Sequence, residues 1–414
     1  MSKQEESIFT NPILKWVDDR FPLSSLIKDH ATEYYASKNF NIWYIFGVLS
    51  MVVLIIMLMT GFFLTMNYKP STEDAFNSVE YIMRSVEWGW LIRYMHSTGS
   101  SFFFIVVYLH MFRGMLYGSY KKPRELIWIV GMLLYFCLMA EAFFGYLLPW
   151  GNMSYWAGQV IVNLFSYIPV IGETLTEWIR GDYFMSDITL NRFFAFHVIL
   201  LPLAILALVV AHILALHHVG SNNPDGIEIK DYKDESGKPI DGVAFHPFHT
   251  SKDLVAIIVF LILYFAAVFY APEMGGLFLE VDNFEPADPL KTPEHIVPSW
   301  YFTPYYAILR AIPNAALGAV FLVAAVLLFV FLPWLDRCSV KSIRYRGWQY
   351  KVALFAFVVS FVVLGYLGMQ PATGIYVLLA RIFTIIYFAF FLLMPFYTKL
   401  EKTKPVPHRV VYKK

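Results

Sequence analysis

Eight long apolar stretches alternate with polar connections along the chain, at roughly 42 to 65, 90 to 113, 125 to 148, 192 to 216, 254 to 271, 315 to 335, 350 to 368 and 375 to 397, each long enough, or nearly so, to cross a hydrocarbon core of about 30 Å. The pattern predicts an all-α polytopic membrane protein of eight spans. Two connections are long. Residues 149–190, between the third and fourth spans, hold MSYWAGQVIVNLF and IPVIGETLTEWI, whose helical apolar periodicity predicts a short hairpin on the membrane surface. Residues 272–314, between the fifth and sixth spans, are rich in proline. The remaining segments are a polar N-terminal stretch, 1–41, a loop at 217–253 and a tail at 398–414. Within the first, FTNPILKWVDDRFPLSSLI reads as an amphipathic segment lying along the surface.

Composition agrees with this architecture: 58% hydrophobic and only 15% charged residues over 414 positions is a balance that soluble domains of this length do not reach. Charge adds an orientation. Alternate connections, beginning with the N-terminal stretch, carry 22 Lys and Arg, whereas the others carry only Lys69, Arg84, Arg180, Lys291 and Arg310. The positive-inside rule therefore predicts a multi-pass protein with both termini in the cytoplasm. The N-terminal stretch has no short apolar core with a cleavage site, so no removable signal peptide is expected.

Candidate chemistry lies in two of the spans. His96 and His110 are fourteen residues apart in the second, about four helical turns and about 21 Å, so both imidazoles leave one face at two depths. His197 and His212, fifteen apart, repeat the arrangement in the fourth. These two spans run in the same direction, which pairs His96 with His197 towards the outside and His110 with His212 towards the inside. Two stacked bis-imidazole sites suited to haem result. The two cysteines, Cys137 and Cys338, belong to no C-x-x-C-H pattern, so any haem is held non-covalently. Fifteen residues overshoot four turns, and Pro202 between the ligands predicts a kink with a local π-type widening that restores the face. Gly47 and Gly61 in the first span, and Gly131 and Gly145 in the third, share the fourteen-residue spacing and are expected to leave room for flat macrocycles. Arg93 and Arg113, three residues from a ligand, suit haem propionates. Glu141 is a carboxylate inside the third span, a functional candidate by default, and the sequence assigns it no role.

The motifs RYMHSTG, GYLLPWGNMSYW, NRFFAFH, GSNNPDG and HIVPSWYF with YAILRAIPN resemble those of cytochrome b, the central subunit of respiratory quinol–cytochrome c reductase, over nearly the whole chain. The resemblance implies a four-helix bundle, 42–216, around two b-type haems, of low potential at His96 and His197 and of high potential at His110 and His212. It implies quinol oxidation at an outer site that includes Pro298, Ser299, Trp300, Tyr301 and Tyr306, and quinone reduction at an inner site of His217, Ser221, Lys252 and Asp253, with spans five to eight, 254–397, completing the subunit. It further implies a Rieske iron–sulfur protein and a c-type cytochrome as partners, membrane lipid around the chain, a homodimeric complex and a bacterial cytoplasmic membrane. PSWY stands where the family usually has PEWY, and Ser299 cannot act as a base near neutral pH. Glu294 is therefore expected to take the quinol proton, provided residues 294 to 299 form a tight bend. A transporter with a histidine proton relay and a haem-holding anchor for another dehydrogenase are the alternative readings. The first lacks the expected inverted repeats, and the second leaves two elaborate loops unexplained. No nucleic-acid motif is present.

Overall fold

The computed structural model describes residues 7–28 and 32–412. Those parts of the N-terminal stretch and of the tail at 1–6, 29–31 and 413–414 lie outside the described residues. Among the described residues, eight helices are long and apolar enough to span a membrane: Ile42–Thr65, Gly89–Tyr117, Glu125–Leu147, Asp187–Val219, Phe245–Tyr270, Ala315–Leu335, Trp348–Gly368 and Gly374–Leu392. They coincide with the eight apolar stretches. The fifth begins earlier than hydropathy suggests because its first turns, FHPFHTSKD, are polar yet helical, apart from an extended His246. Lys252 and Asp253 consequently belong to a helix and not to the preceding loop. The eighth ends at Leu392, and a separate helix, Met394–Leu400, follows with a proline in its first turn.

The first helix packs along the second and the third along the fourth, with the fifth against the first two. The seventh packs on the eighth and on a short helix, Thr303–Ala311, that closes the long proline-rich connection. Between the third and fourth spans, Asn152–Asn163 and Gly172–Arg180 form the expected hairpin, tied by Arg180 to Asn163 and to the Tyr183 carbonyl. Short helices at Pro12–Asp18 and Leu23–Ile27 occupy the expected amphipathic segment, and Ile13 and Trp16 are exposed on the first.

The connections gather on two faces. One face carries the described parts of both terminal segments, and polar contacts hold it together. Tyr35–Ser37 pairs antiparallel with Gly242–Ala244. Asp225 accepts from Asn39 Nδ2 at 2.8 Å, Tyr345 Oη at 2.8 Å, Arg344 Nη1 at 3.0 Å and the Val411 amide at 2.9 Å. Glu228 accepts from both Nη atoms of Arg124, at 2.6 and 2.7 Å, and from Lys341 Nζ. Burial alone would raise the Glu228 carboxyl, but these cations outweigh it and hold it down at about 2. On the opposite face Tyr68 Oη donates to the Leu148 carbonyl at 2.7 Å and the Asn152 amide to the Glu285 carbonyl at 2.9 Å.

Candidate functional site

Two pairs of histidines face each other inside the first four helices. The ring centroids of His96 and His197 are 6.1 Å apart, and those of His110 and His212 are 6.4 Å apart. Two metal–nitrogen bonds of about 2 Å, with about 1.1 Å from ring centre to nitrogen at each end, sum to about 6.2 Å. Both gaps therefore fit one iron between two axial imidazoles. The fifteen-residue spacing is absorbed where expected: Phe196–Leu200, which contains His197 and ends just before Pro202, is a π-helical turn. Such a turn takes in one extra residue, so His212 returns to the His197 face.

The four spaced glycines have a more specific role than the sequence suggested. A Cβ on Gly47 would lie 3.2 Å from His110 Cε1, one on Gly61 3.2 Å from His96 Cε1, and one on Gly131 3.2 Å from His212 Cε1. At Gly145 it would run into the His197 ring. Each glycine thus seats the edge of one ligand imidazole, two on the first helix and two on the third. The expectation of room for a macrocycle is refined to room for its ligands.

At His96 and His197, hydrogen bonds at Nδ1 orient the rings and leave Nε2 for a metal. Thr60 Oγ1 lies 2.9 Å from His96 Nδ1, while its own proton goes to the Ile56 carbonyl at 2.7 Å. His197 Nδ1 lies 2.9 Å from the Glu141 carbonyl oxygen. Arg113 Nη2 lies 3.5 Å from His110 Nδ1, and the backbone of Ile127 is the neighbour of the His212 ring.

Each pair opens into its own cavity. The first, about 390 Å³, is lined by His96, His197, Gly61, Gly145 and Arg93, and it continues past Tyr146, Phe278, Leu279 and Asn283 to Ser299 and Tyr301. Pro298 is buried next to Ser299. Trp300 and Tyr306 stand behind the lining: Trp300 Nε1 donates to Ser101 Oγ at 3.0 Å, and Tyr306 Oη donates to the Ile296 carbonyl at 3.0 Å. These three residues shape the site without lining it. Tyr301 is clamped, stacked on Phe104 at 3.9 Å with its carbonyl accepting from Tyr108 Oη at 2.6 Å. Burial pushes its phenol up to about 12, so it remains a neutral donor.

Glu294 does not meet its condition. Residues 294 to 299 run as irregular chain with no helical turn, Glu294 is exposed, and it is absent from the cavity that Ser299 lines. Pro298, inside this stretch, disfavours helix at Val297. Glu141 lines this cavity near His197, and a second carboxylate beside it, which the sequence reading missed, is Glu280. Its Oε2 accepts from Tyr146 Oη at 3.0 Å, and burial raises its carboxyl to about 7 against the opposing pull of the Tyr146 hydrogen bond. An acid directly after the apolar run GGLFL was the available signal.

The second cavity, about 1070 Å³, holds His110, His212, Gly47, Gly131 and Arg113 together with His217, Ser221, Lys252 and Asp253. All four residues expected at the inner quinone site are thus brought to one space with the inner histidine pair. Tyr34, from the N-terminal segment, was not foreseen. It stacks on His217 at 4.3 Å between ring centroids, and its hydroxyl lies 3.1 Å from Ser221 Oγ.

Comparison with known proteins agrees with this geometry. The family described as cytochrome b/b6/petB matches residues 31–220, and cytochrome b(C-terminal)/b6/petD matches residues 286–388. The chain is 59% identical to a cytochrome b of Allochromatium vinosum over 96% of its own length and 98% of that protein's. It is 41% identical to the Arabidopsis thaliana cytochrome b over 93% of this chain and 94% of that one. A chain of a hyperthermophilic respiratory Complex III superposes with a TM-score of 0.87 at 39% identity, covering 94% of this chain and 99% of that chain. With two cavities built around opposed histidines and nearly its whole length matched, the chain belongs to the cytochrome b family, as the core subunit of a bacterial quinol–cytochrome c oxidoreductase.

Proposed function

We propose that the chain binds two b-type haems non-covalently, one between His96 and His197 and one between His110 and His212, and that it couples quinol oxidation on one membrane face to quinone reduction on the other. The observation that carries this reading is the joining of each histidine pair to its own site residues in one cavity. When bound, the haems supply one-electron transfer along the bundle. Arg93 and Arg113 line the two cavities and would pair with propionates.

At the first cavity Ser299 and Tyr301 offer hydroxyls to a quinol headgroup. Its proton passes through Tyr146 Oη to Glu280 Oε2, a carboxylate whose elevated acidity range matches proton exchange near neutral pH. At the second cavity Lys252 and Asp253 would deliver protons to a quinone that His217 and Ser221 orient. Charge distribution sets the direction: the terminal face, richest in Lys and Arg, is cytoplasmic, so protons are released outside and taken up inside. A Rieske iron–sulfur protein and a c-type cytochrome receive the other electron of each quinol, in a homodimeric complex of a bacterial cytoplasmic membrane.

Replacing single ligands tests the reading. His110→Leu or His212→Leu should remove one b-haem from the reduced spectrum of the assembled complex, and His96→Leu or His197→Leu the other. A stable His110→Leu complex that keeps two haems overturns the ligation.

A further inference from the structure

Pro304 leaves a gap in the hydrogen bonding of the turn that carries Tyr301. It stands three residues after Tyr301 and has no amide proton to offer. The Tyr305 amide, next in line, goes to the Phe302 carbonyl at 3.1 Å, and the Thr303 amide goes to the Trp300 carbonyl at 3.2 Å. The Tyr301 carbonyl is answered from another element, by Tyr108 Oη of the second helix at 2.6 Å. Tyr108 has one proton and gives it to this carbonyl, so at its 3.3 Å contact with Tyr135 Oη it can only accept. Tyr135, on the third helix, then accepts from Tyr305 Oη at 2.9 Å. Three phenols thus form one directed chain, from Tyr305 through Tyr135 and Tyr108 to the Tyr301 carbonyl. Tyr135 and Tyr305 are buried, and Phe361 of the seventh helix meets Tyr108 and Tyr305 edge-on, with ring centroids 5.2 and 6.0 Å apart.

Resting on the reading of Tyr301 as a quinol contact, we infer that Tyr108 and Tyr135 are positioning residues for the first cavity, which hold Tyr301 where a quinol headgroup meets its hydroxyl. The chain of phenols starts and ends on one short segment, since Tyr305 is its first donor and Tyr301 its last acceptor. In between it crosses the second and third helices, which carry His96 and His110 and the glycines that seat His197 and His212. The turn that supplies Ser299 and Tyr301 is thereby pinned to the same frame as the histidine pairs. Stacking on Phe104 does not do this alone, because a stacked pair sets the plane of a ring and tolerates a sideways offset. A hydrogen bond to the carbonyl fixes the backbone from which the ring hangs. Its loss strands a buried acceptor, which is why one hydroxyl can matter at a distance from the quinol.

The test is steady-state reduction of a c-type cytochrome by a short-chain benzoquinol in the assembled complex, with haem content and haem midpoints measured alongside. Tyr→Phe substitutions keep the rings and remove only the hydroxyls. Tyr108→Phe should raise the quinol KM about tenfold with kcat near that of the parent, the size expected when a buried acceptor loses its donor. Tyr135→Phe leaves the bond to Tyr301 in place and should raise KM only about twofold, because a neighbouring bond strengthens a hydrogen bond modestly. Tyr305→Phe, one step further away, should have the smallest effect. Haem content and midpoints should match the parent in all three, which a general loosening of the bundle would not allow. A parent KM in a Tyr108→Phe complex that keeps its haems overturns the inference, as does an equal rise in all three variants or a fall in kcat at constant KM. Should Tyr108→Phe fail to assemble, a larger KM in Tyr135→Phe than in Tyr305→Phe supports the chain, and equal values overturn it. Tyr301→Phe tests the reading beneath: a parent KM there overturns the quinol contact itself. A raised KM in Tyr301→Phe beside a parent value in Tyr108→Phe overturns the positioning role alone.

Discussion

At the scale of single residues, the first cavity shows how a carboxylate can serve a site from a different loop position than motif logic suggests. Ser299 occupies the usual acid position and is buried, and Glu280 reaches the lining through Tyr146. Its carboxyl is raised to about 7, so it is ionised and able to accept a proton above that pH and is filled below it. Quinol-driven reduction of the haem proposed for the first cavity should therefore slow as pH falls through about 7. Glu280→Gln should be slow throughout and lose this limb, by a factor of about a hundred if the group acts as a general base. Glu294→Gln, altering an exposed side chain, should keep the parent rate and profile. Stopped-flow kinetics across pH separates the two, and a normal profile in Glu280→Gln would send the proton by another route.

At the scale of elements, the bundle is set by matched exceptions to regular helix. The π-turn at Phe196–Leu200 puts His197 and His212 on one face, and the glycines of the first and third helices receive the ring edges. Both features were legible in the sequence because each is a spacing: fifteen against fourteen residues around a proline, and two glycine pairs with the ligand interval. The spans were legible for the same reason, since hydropathy is a local property. What escaped were relations between distant segments. Nothing local says that Tyr34 stacks on His217, that Tyr146 reaches Glu280, or that the chain after Glu294 stays irregular. The glycine role gives a graded prediction. Gly131→Ala brings a methyl to 3.2 Å of His212 Cε1, a contact that a small ring shift relieves, whereas Gly131→Val cannot be relieved so cheaply. Overpacking of this kind costs about 1 to 3 kcal/mol. The valine variant should lose or shift the inner haem while the alanine variant keeps it, and an unaltered inner-haem midpoint in Gly131→Val would remove the seating role.

At the scale of the whole molecule, the terminal face is held by buried charge. Asp336 accepts from Arg346 Nη1 at 2.6 Å and Nη2 at 3.0 Å, and pairs with Lys121 Nζ at 2.9 Å, while Arg346 also reaches Glu401 Oε1 at 2.6 Å. The side chains of Arg346, Asp336 and Glu401 are wholly shielded from solvent. Burial opposes ionisation of Asp336, but Arg346 and Lys121 prevail and keep its carboxyl below the ordinary value. Two cations balance two anions here, and they join the connection after the second helix, the connection after the sixth and the tail. A neutral cluster of this kind gains little over an apolar one, yet breaking it strands a charge in a low dielectric. Asp336→Ala should therefore cost about 3 to 5 kcal/mol, because Arg346 and Lys121 are left with one anion between them. Adding Lys121→Met restores the balance and should recover part of the loss, so the double variant should be more stable than the single. The measurement is the temperature at which each complex loses its b-haem absorption. A double variant that falls below Asp336→Ala would mean that the hydrogen bonds of Lys121 to the Asp336 and Cys338 carbonyls, at 3.1 and 2.7 Å, matter more to this face than the charge balance.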